Sequence, residues 1–122
     1  LHHGEACVMS DARRGGWTWG RLENGVLTDV PAVLPAEQAR ASVAECMGKG
    51  VPVFSTETAD HLAAREMSGI VPVYPSAEAL GAVWLSLAEA RREELLESPA
   101  EPLYVRAPHI TRAKRPAWAV KA

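Results

Sequence analysis

The residues best placed by type and spacing to do chemistry are Asp11, Arg13 and Arg14, inside the stretch Ser10-Asp11-Ala12-Arg13-Arg14-Gly15-Gly16. An arginine fork presented on a turn recognises a phosphate, a nucleotide or a partner's carboxylate through paired N–H donors. Asp11 also has a structural use: an aspartate accepts backbone N–H groups in an Asx-type turn, and Arg13 then simply pairs with it. Both readings stand at this point for both residues.

Other reactive groups lack the company that chemistry needs. His61 sits near Glu57 and Asp60 with no ligand partner at i, i+4, so a solvated side chain is expected. His2 and His3 are adjacent, and neighbours on a strand point to opposite faces. Ser10, Ser42, Ser55, Ser68, Ser76, Ser86 and Ser98 have no G-x-S-x-G context. Gly15-Gly16 and Gly48-Lys49-Gly50 match neither phosphate-loop spacing, and the second reads as a helix stop. A triad drawn from distant residues stays open, because such sites are defined by geometry and not by position in the chain.

These residues need elements to hold them. Glu5 to Met9 is mostly apolar and reads as a strand, Trp17 to Leu22 as a second, and Val26 to Leu34 as a third. Asn24-Gly25 between the last two is a strong hairpin signal, since a type I′ turn needs φ > 0 at both central residues. Gly15 and Gly16 are expected to supply the permissive backbone of the first turn. Trp17 and Trp19 share a strand face and read as core packing before a stacking platform.

Beyond the meander, Pro35-Ala36-Glu37-Gln38 opens a helix with proline in its first turn. Val51-Pro52-Val53-Phe54 is a short strand whose proline marks a start or an edge. Thr58 to Met67 is a short helix, and Ile70 to Tyr74 a further strand with its own proline. The spacing of Leu80, Val83, Trp84, Leu87 and Ala88 predicts one long helix from Ser76 to about Ser98, N-capped by Ser76, with that stripe facing the core. Glu101 to Arg106 reads as a short strand or docked tail. Positions 107–122 read as an irregular basic tail carrying His109, Arg112, Lys114, Arg115 and Lys121.

The order βββαβαβα suggests an α/β domain over residues 1–106 with a mixed sheet and helices packed on it. It is the order of an RNase H-like half-domain, although other α/β folds share it. With 122 residues, 48% hydrophobic content and 23% charge, the chain is expected to form one globular domain. A formal net charge of -2 gives no whole-molecule attraction to nucleic acid or membrane. No apolar run approaches the ~18 residues of a membrane span, and Leu1 to Glu5 lacks the pattern of a signal peptide. Cys7 and Cys46 are expected to be free thiols in a reducing cytoplasm. The basic tail reads either as an RNA or acidic-partner contact or as a solvated terminus.

Asp11-Ala12-Arg13 with Gly15 and Trp19 resembles the Asp-Ala-Arg-Met-Gly-Glu-Val-Tyr-Trp pattern of the bacterial TsaB (YeaZ) family. Pro75-Ser76-Ala77-Glu78 is similar to the opening of that family's last long helix. Ala100-Glu101-Pro102-Leu103-Tyr104-Val105-Arg106 resembles its closing Glu-Pro-x-Tyr-x-Arg motif. Arg14 stands where Met is usual, and Gly16-Trp17-Thr18 replaces Glu-Val-Tyr. The resemblance runs over nearly the whole chain but only to the family's C-terminal part. Its Asp-Thr-Ser/Ala opening and its Gly-Pro-Gly-Ser-Phe-Thr-Gly stretch have no counterpart here, which implies a fragment.

The resemblance implies an RNase H-like half of an ASKHA (actin-like) fold, cytoplasmic and bacterial, without catalytic residues, metal or cofactor. It implies a scaffold for TsaD, which modifies adenosine 37 of tRNA with a threonylcarbamoyl group, with the ATPase TsaE joining the complex. tRNA would be reached through that complex. Asp11, Arg13, Tyr104 and Arg106 are the expected partner contacts, and a half-domain alone is expected to expose apolar surface and self-associate. The rival readings are a small stand-alone α/β hydrolase or acyl transferase, a glycoprotease-like activity among them, and an RNA-binding module using the basic tail.

Overall fold

In a computed structural model, residues 4–102 are described; Tyr104, Arg106, the 106/107 domain boundary, the basic tail and the His2-His3 pair lie outside them. The chain begins with an antiparallel hairpin, β1 (Glu5–Arg13) and β2 (Gly16–Glu23). The first strand therefore runs four residues past Met9. The register shifts by one at a bulge between Asp11, which faces Trp17, and Arg13, which faces Gly16.

The turn that remains is Arg14-Gly15. Left-handed backbone falls on Arg13 (φ 67°), Arg14 (φ 53°) and Gly15 (φ 74°), while Gly16 begins β2. This corrects the expectation that Gly15 and Gly16 would share the permissive positions. The second turn forms as the sequence predicts: Glu23 pairs with Val26 across Asn24 (φ 51°) and Gly25 (φ 80°).

The third strand is not continuous. It splits into β3 (Val26–Leu27) and β4 (Ala32–Pro35), both on the same edge of β2. Leu27 faces Leu22 and Ala32 faces Trp19, so the chain fits two extra residues between them. Pro31, which has no N–H to give a ladder, lies in that interruption.

Helix α1 (Ala36–Gly48) follows directly, with Pro35 as its N-cap. It ends in a Schellman motif: Val51 N–H donates to the Cys46 carbonyl at 2.8 Å, Gly50 N–H donates to the Met47 carbonyl at 3.2 Å, and Gly50 takes φ 70°. Strand β5 (Val53–Ser55) starts just after Pro52 and lies parallel to β1. Helix α2 (Ala59–Ala64) and strand β6 (Val71–Pro72) complete the sheet. The strand order is β3-β2-β1-β5-β6 with β4 also on β2, a mixed sheet of six strands. Pro72 sits in the edge strand, where a missing donor is tolerated.

The core lies on one face of this sheet. Cys7, Met9, Trp17 and Val53 point there and meet Ala39 and Val43 of α1, Leu62 of α2 and Met67. Trp17 is 3% exposed, and Trp19 packs against the same cluster. The shared face of the two tryptophans is thus part of the core. Cys46 sets its thiol 3.6 Å from Cys7, and both are free. Burial and the neighbouring Cys46 thiol push the Cys7 thiol up to about 12. The opposite face of the sheet forms an open apolar groove of about 620 Å³, with Val8, Gly20, Leu27 and Phe54 among its lining residues.

The predicted long helix is two helices, α3 (Ala77–Ser86) and α4 (Glu89–Glu97). Ser76 caps α3 as expected, its Oγ accepting from Ala79 N–H at 3.1 Å. Leu87 and Ala88 are extended, with ψ 146° and 145°. The Ser86 hydroxyl donates to the Val83 carbonyl at 2.6 Å, competing with the backbone where the helix stops. The break splits the predicted stripe. Leu80 is 72% exposed, and neither helix has a buried residue. Among the described residues no helix is long and apolar enough to cross a membrane.

Candidate functional site

The end of β1 and the start of α2 converge on Asp11. Arg13 N–H donates to Asp11 Oδ1 at 2.7 Å, which is the Asx-type contact over two residues that the sequence allows. The other oxygen meets a residue fifty positions away: His61 Nε2 lies 2.8 Å from Asp11 Oδ2. An ionised carboxylate only accepts, so the proton of this bond rides on Nε2. Burial pushes the Asp11 carboxyl up, but the Arg13 N–H and the His61 ring outweigh it and hold the group below its ordinary 3.8.

His61 is therefore not a solvated side chain, contrary to the sequence expectation. Thr58 Oγ1 caps α2 by accepting from His61 N–H at 3.1 Å, which fixes the turn that aims the ring at β1. The ring also lies against Trp17, with centroids 6.3 Å apart and planes at 45°. Glu57 was named only as a neighbour of His61 in sequence, yet it joins the same network. Its Oε1 accepts from Asp11 N–H at 3.0 Å, and its own N–H donates to the buried Ser55 Oγ at 3.1 Å. Three short elements, β1, β5 and α2, are tied together at one end of the sheet by this network.

Beside it lies a polar cavity of about 440 Å³ beneath the Arg14-Gly15 turn. Arg13 and Arg14 come from the turn, Arg40 from α1, and Arg65 and Glu66 from the end of α2, with Asp11 at the margin. Arg40 Nη1 donates to the Arg65 carbonyl at 3.3 Å and so spans from α1 to the α2 terminus. Arg40 and Arg65 carried no signal in the sequence, because helical arginines read by default as a solvated face. Only the sheet and two helix termini bring them beside Arg13 and Arg14.

Of the expected partner contacts, Asp11 and Arg13 meet at this site, while Tyr104 and Arg106 lie outside the described residues. Among the described residues, no group of three or more His, Cys, Asp or Glu side chains is arranged to hold a metal ion.

Fold and site together define an α/β domain with a mixed sheet, one face packed by helices, and an arginine-lined polar cavity at the end of β1. No family model, curated protein or solved structure matches the chain.

Proposed function

We propose that the chain is the C-terminal, RNase H-like domain of a TsaB-type scaffold subunit, a non-catalytic partner of TsaD in threonylcarbamoyladenosine modification of tRNA. The observation that carries this reading is the element order. With β3 and β4 taken as one interrupted strand, and α3 and α4 as one interrupted helix, the order is βββαβαβα. The Asp-Ala-Arg stretch that carries the resemblance sits where the first two strands of that order meet.

The state of Asp11 also supports a structural role within a scaffold. Both of its oxygens are engaged, one by backbone and one by His61, and its N–H is taken by Glu57. A carboxylate so used is a clamp between β1 and α2. Arg13, on the exposed side of the same turn, is then the contact residue, together with Tyr104 and Arg106 of the tail.

The test is co-purification of the full-length gene product with TsaD, with and without Arg13→Glu and Arg106→Glu. The reading expects weaker assembly or less modified tRNA in the charge-reversed protein. Unchanged affinity for TsaD together with unchanged modification would sink it.

One observation favours a second reading, a small hydrolase or acyl transferase: an aspartate orienting a histidine is the supporting half of a nucleophile–base arrangement. Among the described residues no hydroxyl or thiol is hydrogen-bonded to the His61 ring. Ester or amide hydrolysis that disappears in His61→Ala, in protein that still melts cooperatively, would favour this reading over the scaffold.

A further inference from the structure

The cavity beneath the Arg14-Gly15 turn gathers positive charge from three separate places in the chain. Arg13 and Arg14, Arg40, and Arg65 line it, against two carboxylates, Asp11 and Glu66. The charge of Asp11 is already committed to the Arg13 N–H and the His61 ring. Among the described residues, the guanidiniums of Arg14, Arg40 and Arg65 have no carboxylate within ion-pair distance. Arg40 makes one hydrogen bond, to a backbone carbonyl, and this leaves most of its N–H donors open.

Backbone strain gathers at the same place. Among the described residues, four non-glycine residues adopt left-handed φ: Arg13, Arg14, Asn24 and Glu66. Asparagine tolerates that region because its short amide bonds locally, whereas arginine and glutamate have no such compensation. The three strained residues without that excuse, Arg13, Arg14 and Glu66, all line this cavity. Glu66 occupies the C′ position of a Schellman motif, where glycine is usual: Met67 N–H donates to the Leu62 carbonyl at 2.8 Å, and Glu66 N–H to the Ala63 carbonyl at 3.0 Å. The strain held at Arg13 and Arg14 points to a requirement for the arginine side chains of this turn. The N-terminus of α1 opens at Ala36 on the cavity wall and adds the positive end of a thirteen-residue helix.

We propose that this cavity is an anion site that takes a phosphate or phosphodiester group in the forks of Arg14, Arg40 and Arg65. The guanidinium fork matches two phosphate oxygens at once, which an ammonium does not. About 440 Å³ is room for a phosphate group with part of what it is attached to. The site stands independently of the scaffold reading, since it rests on the charge and geometry of residues within this domain. The group would come either from a small phosphorylated ligand or from an RNA backbone, and the probes separate the two.

The test is calorimetric titration of the full chain with inorganic phosphate and, separately, with a short RNA hairpin, in the native protein, in Arg40→Ala/Arg65→Ala, in Arg40→Lys/Arg65→Lys and in Glu66→Gln. Loss of charge-assisted hydrogen bonds predicts about a tenfold to hundredfold weakening in the double alanine variant. The lysine pair keeps the charge but loses the fork, so it should fall between. Glu66→Gln removes an opposing charge and should tighten binding. Phosphate binding that weakens this way, without RNA binding, assigns a small phosphorylated ligand. RNA binding that weakens the same way assigns the backbone phosphodiester. Cooperative melting of each variant guards against misfolding, and Arg14→Asn, at a surface turn, provides an independent weakening that leaves α1 and α2 untouched. The proposal is overturned if neither probe binds the native protein, or if binding is unchanged in the double alanine variant, as it would be if the basic tail held the RNA.

Discussion

The two tight turns of the β1–β2–β3 meander share a backbone but not a chemistry. Both are two-residue connections with left-handed central residues. At the β2–β3 turn those residues are Asn24 and Gly25, the pair that meets this conformation at least cost. Asn24 is also tied to the residue before β1: its Oδ1 accepts from Gly4 N–H at 2.8 Å, and its N–H donates to the Gly4 carbonyl at 2.9 Å. At the β1–β2 turn, arginine stands where asparagine stands in the other, and the preceding Arg13 is left-handed as well. A left-handed residue without glycine's freedom costs roughly 1–2 kcal/mol. The first turn is held by Asp11, which accepts the Arg13 N–H two residues on and is itself braced by His61 of α2 from fifty positions away. One turn is built to fold; the other is built to present arginines and is braced by the rest of the domain.

The sharpest way to break that contrast is to remove the brace. Asp11→Ala deletes the acceptor of two hydrogen bonds at a side chain only 8% exposed, and should cost about 2–3 kcal/mol of unfolding free energy, read by urea titration. A loss below a few tenths would show that the Asp11 contacts do not hold the first turn. The same carboxylate gives the contrast a pH signature. Its folded pKa is lowered, so its contribution is complete above the ordinary 3.8 and is lost as pH falls through that value toward the lower folded one. Asp11→Asn should flatten this part of the acid unfolding curve. A curve of native steepness in that variant would assign the acid sensitivity elsewhere.

Next in size comes Asn24→Ala, which should destabilise by about 1 kcal/mol through the lost left-handed preference and the lost bond to Gly4. The matching change in the other turn has the opposite sign. Arg14→Asn relieves strain and should raise stability by about 0.5–1 kcal/mol in a thermal melt, while weakening phosphate binding. If Arg14→Asn were stabilising without any change in anion binding, the strain at this turn would have no functional counterpart.

A change on the alkaline side comes from the core beneath both turns. The Cys7 thiol is pushed up to about 12, so the folded state keeps its proton where an unfolded chain would lose it. Stability should be intact below about 9 and fall as pH rises through the interval up to about 12, and Cys7→Ala should remove that slope. The smallest expected effect is weak self-association through the apolar groove and the exposed Leu80, Leu85 and Leu96. It should appear as a concentration-dependent elution volume; a strict monomer at every concentration would count against it.

Much of the architecture was legible because its signals are local. The Asn24-Gly25 turn, the proline at the start of α1, the glycine stop at Gly50, the Ser76 cap and the paired tryptophans each act within a few residues of themselves. The misreadings have local causes that lie below the resolution of periodicity. Two extra residues around Pro31 broke the third strand, and a serine hydroxyl bonding the backbone at Ser86 divided a helix whose apolar spacing ran on unbroken. Sequence periodicity measures where apolar residues recur. It does not register a side chain that competes for one carbonyl.

The amino-acid sequence by itself determined the α/β order, the place of the two turns, and the presence of Asp11, Arg13 and Arg14 at the first of them. Only the tertiary structure decided what those residues meet. His61, which the sequence reads as solvated, is brought to Asp11 across fifty positions because β5 lies parallel to β1 and α2 returns over its end. Arg40 and Arg65 join Arg13 and Arg14 because α1 and α2 cover the same face of the sheet. A turn is written in a few consecutive residues. A site made of groups from four elements exists only once burial of Trp17, Val43 and Leu62 has drawn those elements together.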